Sequence, residues 1–146
     1  MTDYTSEDLE DHDAIGAVIK DSEGRILMQE HKKYGFWTIP IGKSAIGTAI
    51  EGLKKELQEE CGIKVKEFKE ITVRKFDYER RGKTVHLNGH LYKIISYEGI
   101  IENKEPHKHS RQEFMTLEAI KGLPFLSDMT LLYLETLGII RSARLK

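Results

Sequence analysis

Between Thr48 and Ile63 the chain reads TAIEGLKKELQEECGI, and Ile50, Leu53, Leu57 and Cys61 recur there at helical spacing. An apolar stripe of that kind needs an apolar surface to lie on, and the flanking segments read as strands. Ala14–Lys20 and Arg25–Glu30 are rich in β-branched and aliphatic residues around the turn sequence DSEG, which predicts two short strands. The segment KKYGFWTIPIGKSAIG is aromatic and glycine-rich and reads as a loop with one short strand. Thr48-x-x-Glu51 has the form of a capping box at the start of a helix over Ala49–Cys61, and Gly62 stands where a left-handed cap would end it. Residues 63–99 alternate well enough for two or three strands with Arg81-Gly82-Lys83 as a hairpin tip. A polar loop then leads to a short strand, Glu113–Thr116, and an amphipathic helix follows through Met129, Leu132, Tyr133 and Leu137. The order β-β-loop-α-β-β-β-α describes a mixed α/β domain.

With 146 residues, 39% of them hydrophobic, the chain suffices for one packed domain. Residues 14–146 are expected to form it, behind a loose acidic arm at 1–13. A formal net charge of -1 argues against general nucleic-acid binding, which favours a basic excess. It leaves room for a local anion site. A lone cysteine excludes an internal disulfide framework and suits a reducing cytoplasm. The N-terminus is acidic where a secretory signal would be basic and then apolar, and no apolar run is long enough for a membrane span.

The predicted helix concentrates carboxylates. Glu56, Glu59 and Glu60 stand at i, i+3 and i+4, on an arc beside the apolar stripe, with the small residues Ala49 and Gly52 leaving room for a ligand. Taken alone, the triplet reads most plainly as a solvated acidic face, with Lys55 bridging to Glu51 and Glu59. The sharper reading is a divalent-cation site, because Mg²⁺ prefers oxygen ligands shared between carboxylates, waters and phosphates.

From Gly42 to Ile63 the sequence resembles the Nudix box, G-x5-E-x7-R-E-U-x-E-E-x-G-U with U aliphatic. Its second half stands here as KELQEECGI, and upstream GFWTIPIGK is similar to the family's loop before the box, with Ile41 in place of the first of two glycines. The first strand pair and the segment EFMTLEAIKGLP are also similar to the family's. Three departures accompany the match: Gly47 replaces the first box glutamate, Lys55 replaces the box arginine, and the loop from Gly42 is one residue short.

The resemblance implies a Nudix-like α/β/α sandwich around a mixed β-sheet. It also implies a pyrophosphohydrolase that uses Mg²⁺ or Mn²⁺ to cleave a nucleoside diphosphate linked to another moiety. Glu56, Glu59 and Glu60 would hold the metal and, with Lys55, form the catalytic set. Gly42 and Lys43 would meet phosphate; Tyr34, Phe36 and Phe76 would meet the nucleoside, with Tyr78 as a further aromatic. Glu105 or Glu113, or alternatively Glu102, would supply an extra base or ligand. A small-molecule nucleotide derivative is the expected partner, and the resemblance also allows a homodimer. The alternative is a Nudix-like sensor that binds a nucleotide without turning it over, favoured by Gly47 and the short loop.

Other residues have plainer readings. Trp37 and Cys61 are expected in the core. Arg74, Lys75, Arg80, Arg81 and Lys83 make the central hairpin basic, either as a solvated face or as a landing site for polyphosphate. His86 and His90 share a strand face, but without cysteine or acidic partners nearby they do not read as a zinc site. HKHSR, around residue 110, reads as an exposed loop.

Overall fold

Residues 4–140 are described by the computed structural model of the chain. Seven strands run β1 His12–Val18, β2 Ile26–His31, β3 Phe36–Thr38, β4 Ile41–Ser44, β5 Lys64–Arg80, β6 Lys83–Glu98 and β7 His109–Met115. Three α-helices accompany them: α1 Ala49–Cys61, α2 Leu117–Lys121 and α3 Asp128–Thr136. A four-stranded sheet has the order β4-β1-β6-β5, with β1 parallel to β6 and the other pairs antiparallel, so it is mixed as expected. A second, three-stranded sheet has the order β3-β2-β7.

The first strand pair shows why the fold needs two sheets. Near the DSEG turn Lys20 bridges Ile26, and the Leu27 N–H donates to the Ile19 carbonyl at 2.9 Å. Beyond that point β1 and β2 part, each pairing with distant strands in its own sheet. Strand β1 is buried almost throughout, as a strand covered on both faces must be. Ile15, Ala17 and Ile19 pack under α1 with Leu53, Leu57 and the fully buried Cys61. Val18 faces the other core, with Met28, Trp37, Phe76 and the α3 residues Met129, Leu132 and Tyr133. Helices on both sides of the sheets give the α/β/α arrangement that the resemblance implied.

Several local expectations are corrected. The loop before α1 holds two short strands, β3 and β4, because Phe36–Thr38 pairs with β2 while Ile41–Ser44 pairs with β1. Strand β7 starts at His109, earlier than Glu113, and His109 is buried, so HKHSR is not simply an exposed loop. The segment expected as a loose arm is fastened over its described part: β1 begins at His12, and a 3-10 turn at Glu7–Leu9 carries the buried Asp8. Residues 1–3 lie outside the described residues. The capping box does not form either. The Thr48 hydroxyl donates to the Ala45 carbonyl at 2.7 Å instead, and no side chain caps the first turn. At the other end Gly62 adopts φ 73°, its N–H donates to the Gln58 carbonyl at 3.1 Å and the Ile63 N–H donates to the Leu57 carbonyl at 3.4 Å, the expected left-handed cap. The hairpin tip also stands as read, with Arg81 and Gly82 both at positive φ, as a tight two-residue turn requires.

Candidate active site

Helix α1 lies along β4 at very close range. A Cβ at Gly42 would come within 2.4 Å of Glu56 Cγ, and one at Gly52 within 2.6 Å of Ser44 Oγ. The small residues expected to leave room for a ligand are thus used differently: Gly52 admits Ser44, and Ala49 is buried in the core. The close approach is what seats Glu56 against the strand end that carries Gly42 and Lys43.

Glu60, one turn on, keeps only 4% of its surface exposed, and its Oε1 has no hydrogen-bond partner. Burial, followed by the hydrogen bond and charge of Glu56 and the charge of Glu105, pushes its carboxyl up to about 9. Glu105 reaches this region because its loop is pinned to the end of α1. The Glu102 N–H donates to the Cys61 carbonyl at 3.0 Å and the Lys104 N–H to the Glu60 carbonyl at 2.9 Å. Glu105 Oε1 is likewise buried without a partner. Glu113 is elsewhere, on β7, where it pairs with Arg111 at 2.7 Å; Glu102 is exposed and pairs with Lys104 at 3.5 Å.

Glu56 and Glu60 face a cavity of about 560 Å³. Gly42 and Lys43 line it, as do Tyr34 and Phe36. Phe76, expected beside the nucleoside, is instead core: it is 2% exposed and fills the space that Gly89 leaves. Tyr78, two residues nearer the hairpin tip on the same face, lines the cavity in its place and donates to Asp128 at the start of α3. Arg80 also lines the cavity and lies 5.0 Å over the Tyr78 ring. The position of Asp128 gave no signal in the sequence, whereas Tyr78 was already named there as a further aromatic.

Glu59 and Lys55 sit on the outer side of α1. They pair with each other at 3.9 Å, with Lys55 77% and Glu59 45% exposed at the side chain, and neither lines the cavity. The position of the missing box glutamate, Gly47, has φ 85°, and its N–H donates to the buried Asp13 carboxylate at 3.0 Å. A carboxylate from β1 therefore ties down the shortened loop. The two strand histidines do have acidic partners, contrary to expectation: His86 meets Asp77 at 2.7 Å, and His90 lies between Asp13 and Glu70 at 3.5 and 3.2 Å.

Among the described residues no three His, Cys, Asp or Glu side chains already stand in metal-ligand geometry. The chemistry of the Glu56, Glu60 and Glu105 cluster nevertheless fits a hard divalent cation. Two of its oxygens, Oε1 of Glu60 and of Glu105, are buried without a donor, and Glu56 and Glu60 open onto the cavity. The protein would then supply part of the coordination sphere, and water and phosphate oxygens the rest.

A family model described as NUDIX domain matches residues 10–132. The chain belongs to the Nudix family. The structure of a MutT NUDIX hydrolase from Burkholderia pseudomallei is 26% identical to it, with a TM-score of 0.71 over 87% of this chain and 98% of that one. With this neighbour the expected enzyme class, a Nudix pyrophosphohydrolase, stands. The NUDIX domain of Shewanella oneidensis NrtR, complexed with ADP ribose, is similar in fold at 12% identity and a TM-score of 0.67, covering 92% of this chain and 91% of that one. A C. elegans Ap4A hydrolase is similar at 24% identity and a TM-score of 0.54, covering 75% and 84%. A search of curated proteins found no match. Nudix hydrolases generally use divalent metals. No helix among the described residues is long and apolar enough to cross a membrane.

Proposed function

We propose that this Nudix domain is a Mg²⁺- or Mn²⁺-dependent hydrolase of a pyrophosphate bond in a nucleoside diphosphate joined to a second moiety. The observation that carries this reading is the buried, partnerless oxygen of Glu60 beside Glu56, at a cavity also lined by cations and aromatics. A buried carboxylate so placed needs either a proton or a cation.

Glu56 and Glu60 would hold the metal, with Glu105 as a further ligand or base; a bound divalent cation would neutralise the carboxylates and polarise the phosphoryl oxygens. Glu59, turned outward toward Lys55, stands outside this set. Lys43 and Arg80 offset the charge of the diphosphate, and Tyr34, Phe36 and Tyr78 present rings on which a nucleobase can stack. Water attacks one phosphorus, the bridging P–O bond breaks, and the water proton passes to the base. Two phosphate monoesters leave.

ADP-ribose and Ap4A are the first compounds to test, since one structure of similar fold is complexed with ADP ribose and another is of an Ap4A hydrolase. Cleavage products would be resolved by chromatography with Mg²⁺ or Mn²⁺. Replacement Glu60→Gln or Glu56→Gln is expected to lower turnover by about 100-fold or more. Glu59→Gln, on an exposed residue, should cost much less. A protein that binds one compound only with metal, yet turns over none, would overturn the hydrolase reading in favour of a sensor.

A further inference from the structure

Asp8 belongs to the acidic N-terminal stretch, yet only 4% of its surface is exposed. Its turn is self-made: the Thr5 N–H donates to Asp8 Oδ2 at 2.9 Å, and the Asp8 N–H donates back to the Thr5 carbonyl at 3.1 Å. Lys43 Nζ donates to Asp8 Oδ1 at 2.8 Å and to Thr5 Oγ1 at 3.0 Å. Lys33 Nζ lies 4.0 Å from Asp8 Oδ2. Arg80 donates to the Asp8 carbonyl at 2.8 Å, and its guanidinium lies 5.1 Å over the Tyr4 ring. Lys33, Lys43 and Arg80 all line the candidate active-site cavity, as does Thr5. The turn is therefore placed where the anionic part of a substrate would go.

We propose that the Thr5–Asp8 turn is a built-in competitor for that anion: Asp8 holds the seat formed by Lys43 and Lys33, and a diphosphate enters as the turn lifts. The proposal rests on reading the cavity as a diphosphate site. Among the described residues neither core cluster includes a residue from the turn, so hydrogen bonds and ion pairs around the buried Asp8 hold it, and no core packing has to be broken for it to lift. One carboxylate on a short tether gains from high local concentration. A diphosphate brings more charge to the same lysine. Its apparent affinity is reduced by the fraction of molecules in which the turn is closed.

The test is calorimetric binding of methylenediphosphonate, a pyrophosphate analogue that is not hydrolysed, to the full chain with Mg²⁺. Asp8→Asn should bind it about tenfold more tightly than the unmodified protein, as expected if the closed turn dominates. Glu10→Gln removes an equal charge from an exposed neighbour and should change binding by less than about twofold if screening governs it. In a Lys43→Met background the Asp8→Asn gain should vanish. Hydrogen exchange on the unmodified protein needs no variant: amides of residues 5–9 should lose protection when the analogue binds. Equal or weaker binding by Asp8→Asn, or protection that stays or rises, overturns the competitor while leaving the cavity reading intact. Absence of any binding overturns both.

Discussion

At Gly42 a single missing methyl decides where a carboxylate can stand. With Glu56 Cγ 2.4 Å from the place a Cβ would take, Gly42→Ala forces β4 and α1 apart or swings Glu56 away from the cavity. We expect a loss of about 1–3 kcal/mol in urea unfolding, the usual cost of overpacking, together with weaker Mg²⁺ binding in titration calorimetry. Gly47 poses the opposite case. Space around it is open, but its φ of 85° suits glycine alone. Restoring the family's glutamate through Gly47→Glu is therefore expected to destabilise by about 1 kcal/mol and to give no gain in turnover, since Asp13 already anchors the loop. A several-fold rise in kcat would refute that account. The residue scale is also where the sequence was least legible. Phe76 and Tyr78 share a strand face, and only the depth of the sheet decides which is core and which reaches the cavity. Glu59 and Glu60 are neighbours in sequence, yet one is exposed and the other buried, because at about 100° per residue the cavity edge falls between them.

Among the elements, α1 was readable because its signals agree: an apolar stripe at helical spacing, polar residues opposite, and a glycine cap. Its start was misread because Ser44, at the end of β4, and Ala45, in the turn that follows, engage the Thr48 hydroxyl first. The fastening of the N-terminal turn was not readable at all, since Asp8 finds Lys43 and Arg80 only once distant strands have paired. Helix α3 shows a side-chain cap doing two jobs. The Ser127 hydroxyl accepts from the Thr130 N–H at 3.2 Å and shares a hydrogen bond with Thr38 of β3 at 2.7 Å, all buried. Ser127→Ala should therefore cost about 1–3 kcal/mol, more than an exposed cap, because Thr38 loses a buried partner as well. Chemical denaturation would show this as a lower midpoint with an unchanged slope.

For the molecule as a whole, the site carboxylates couple folding to pH. Glu60 titrates at about 9 in the folded chain against 4.5 for the ordinary group, so without metal the fold keeps a proton that the unfolded chain releases. Stability from that proton is fully present below pH 4.5 and drains away as the pH climbs toward 9. A bound cation would take the proton's place, so Mg²⁺ should raise the melting temperature more at pH 8.5 than at pH 5.5 and release protons on binding. Glu60→Gln should abolish both effects; calorimetry in two buffers of different ionisation enthalpy checks the second. Mixed α/β order, strand-rich flanks and the helix that bears the glutamates were all legible, whereas the division into two sheets was not. Periodicity reports which face of a strand is buried, not which partner it finds. Cys61 gives this architecture a clock. The only thiol in the chain is fully buried beneath α1, and burial, with the charges of Glu60 and Glu105, pushes it up to about 12. A disulfide reagent can reach it only when the helix bearing Glu56 and Glu60 leaves the sheet. The rate of labelling in buffer thus counts, molecule by molecule, how often α1 comes off the sheet and how long it stays seated between departures.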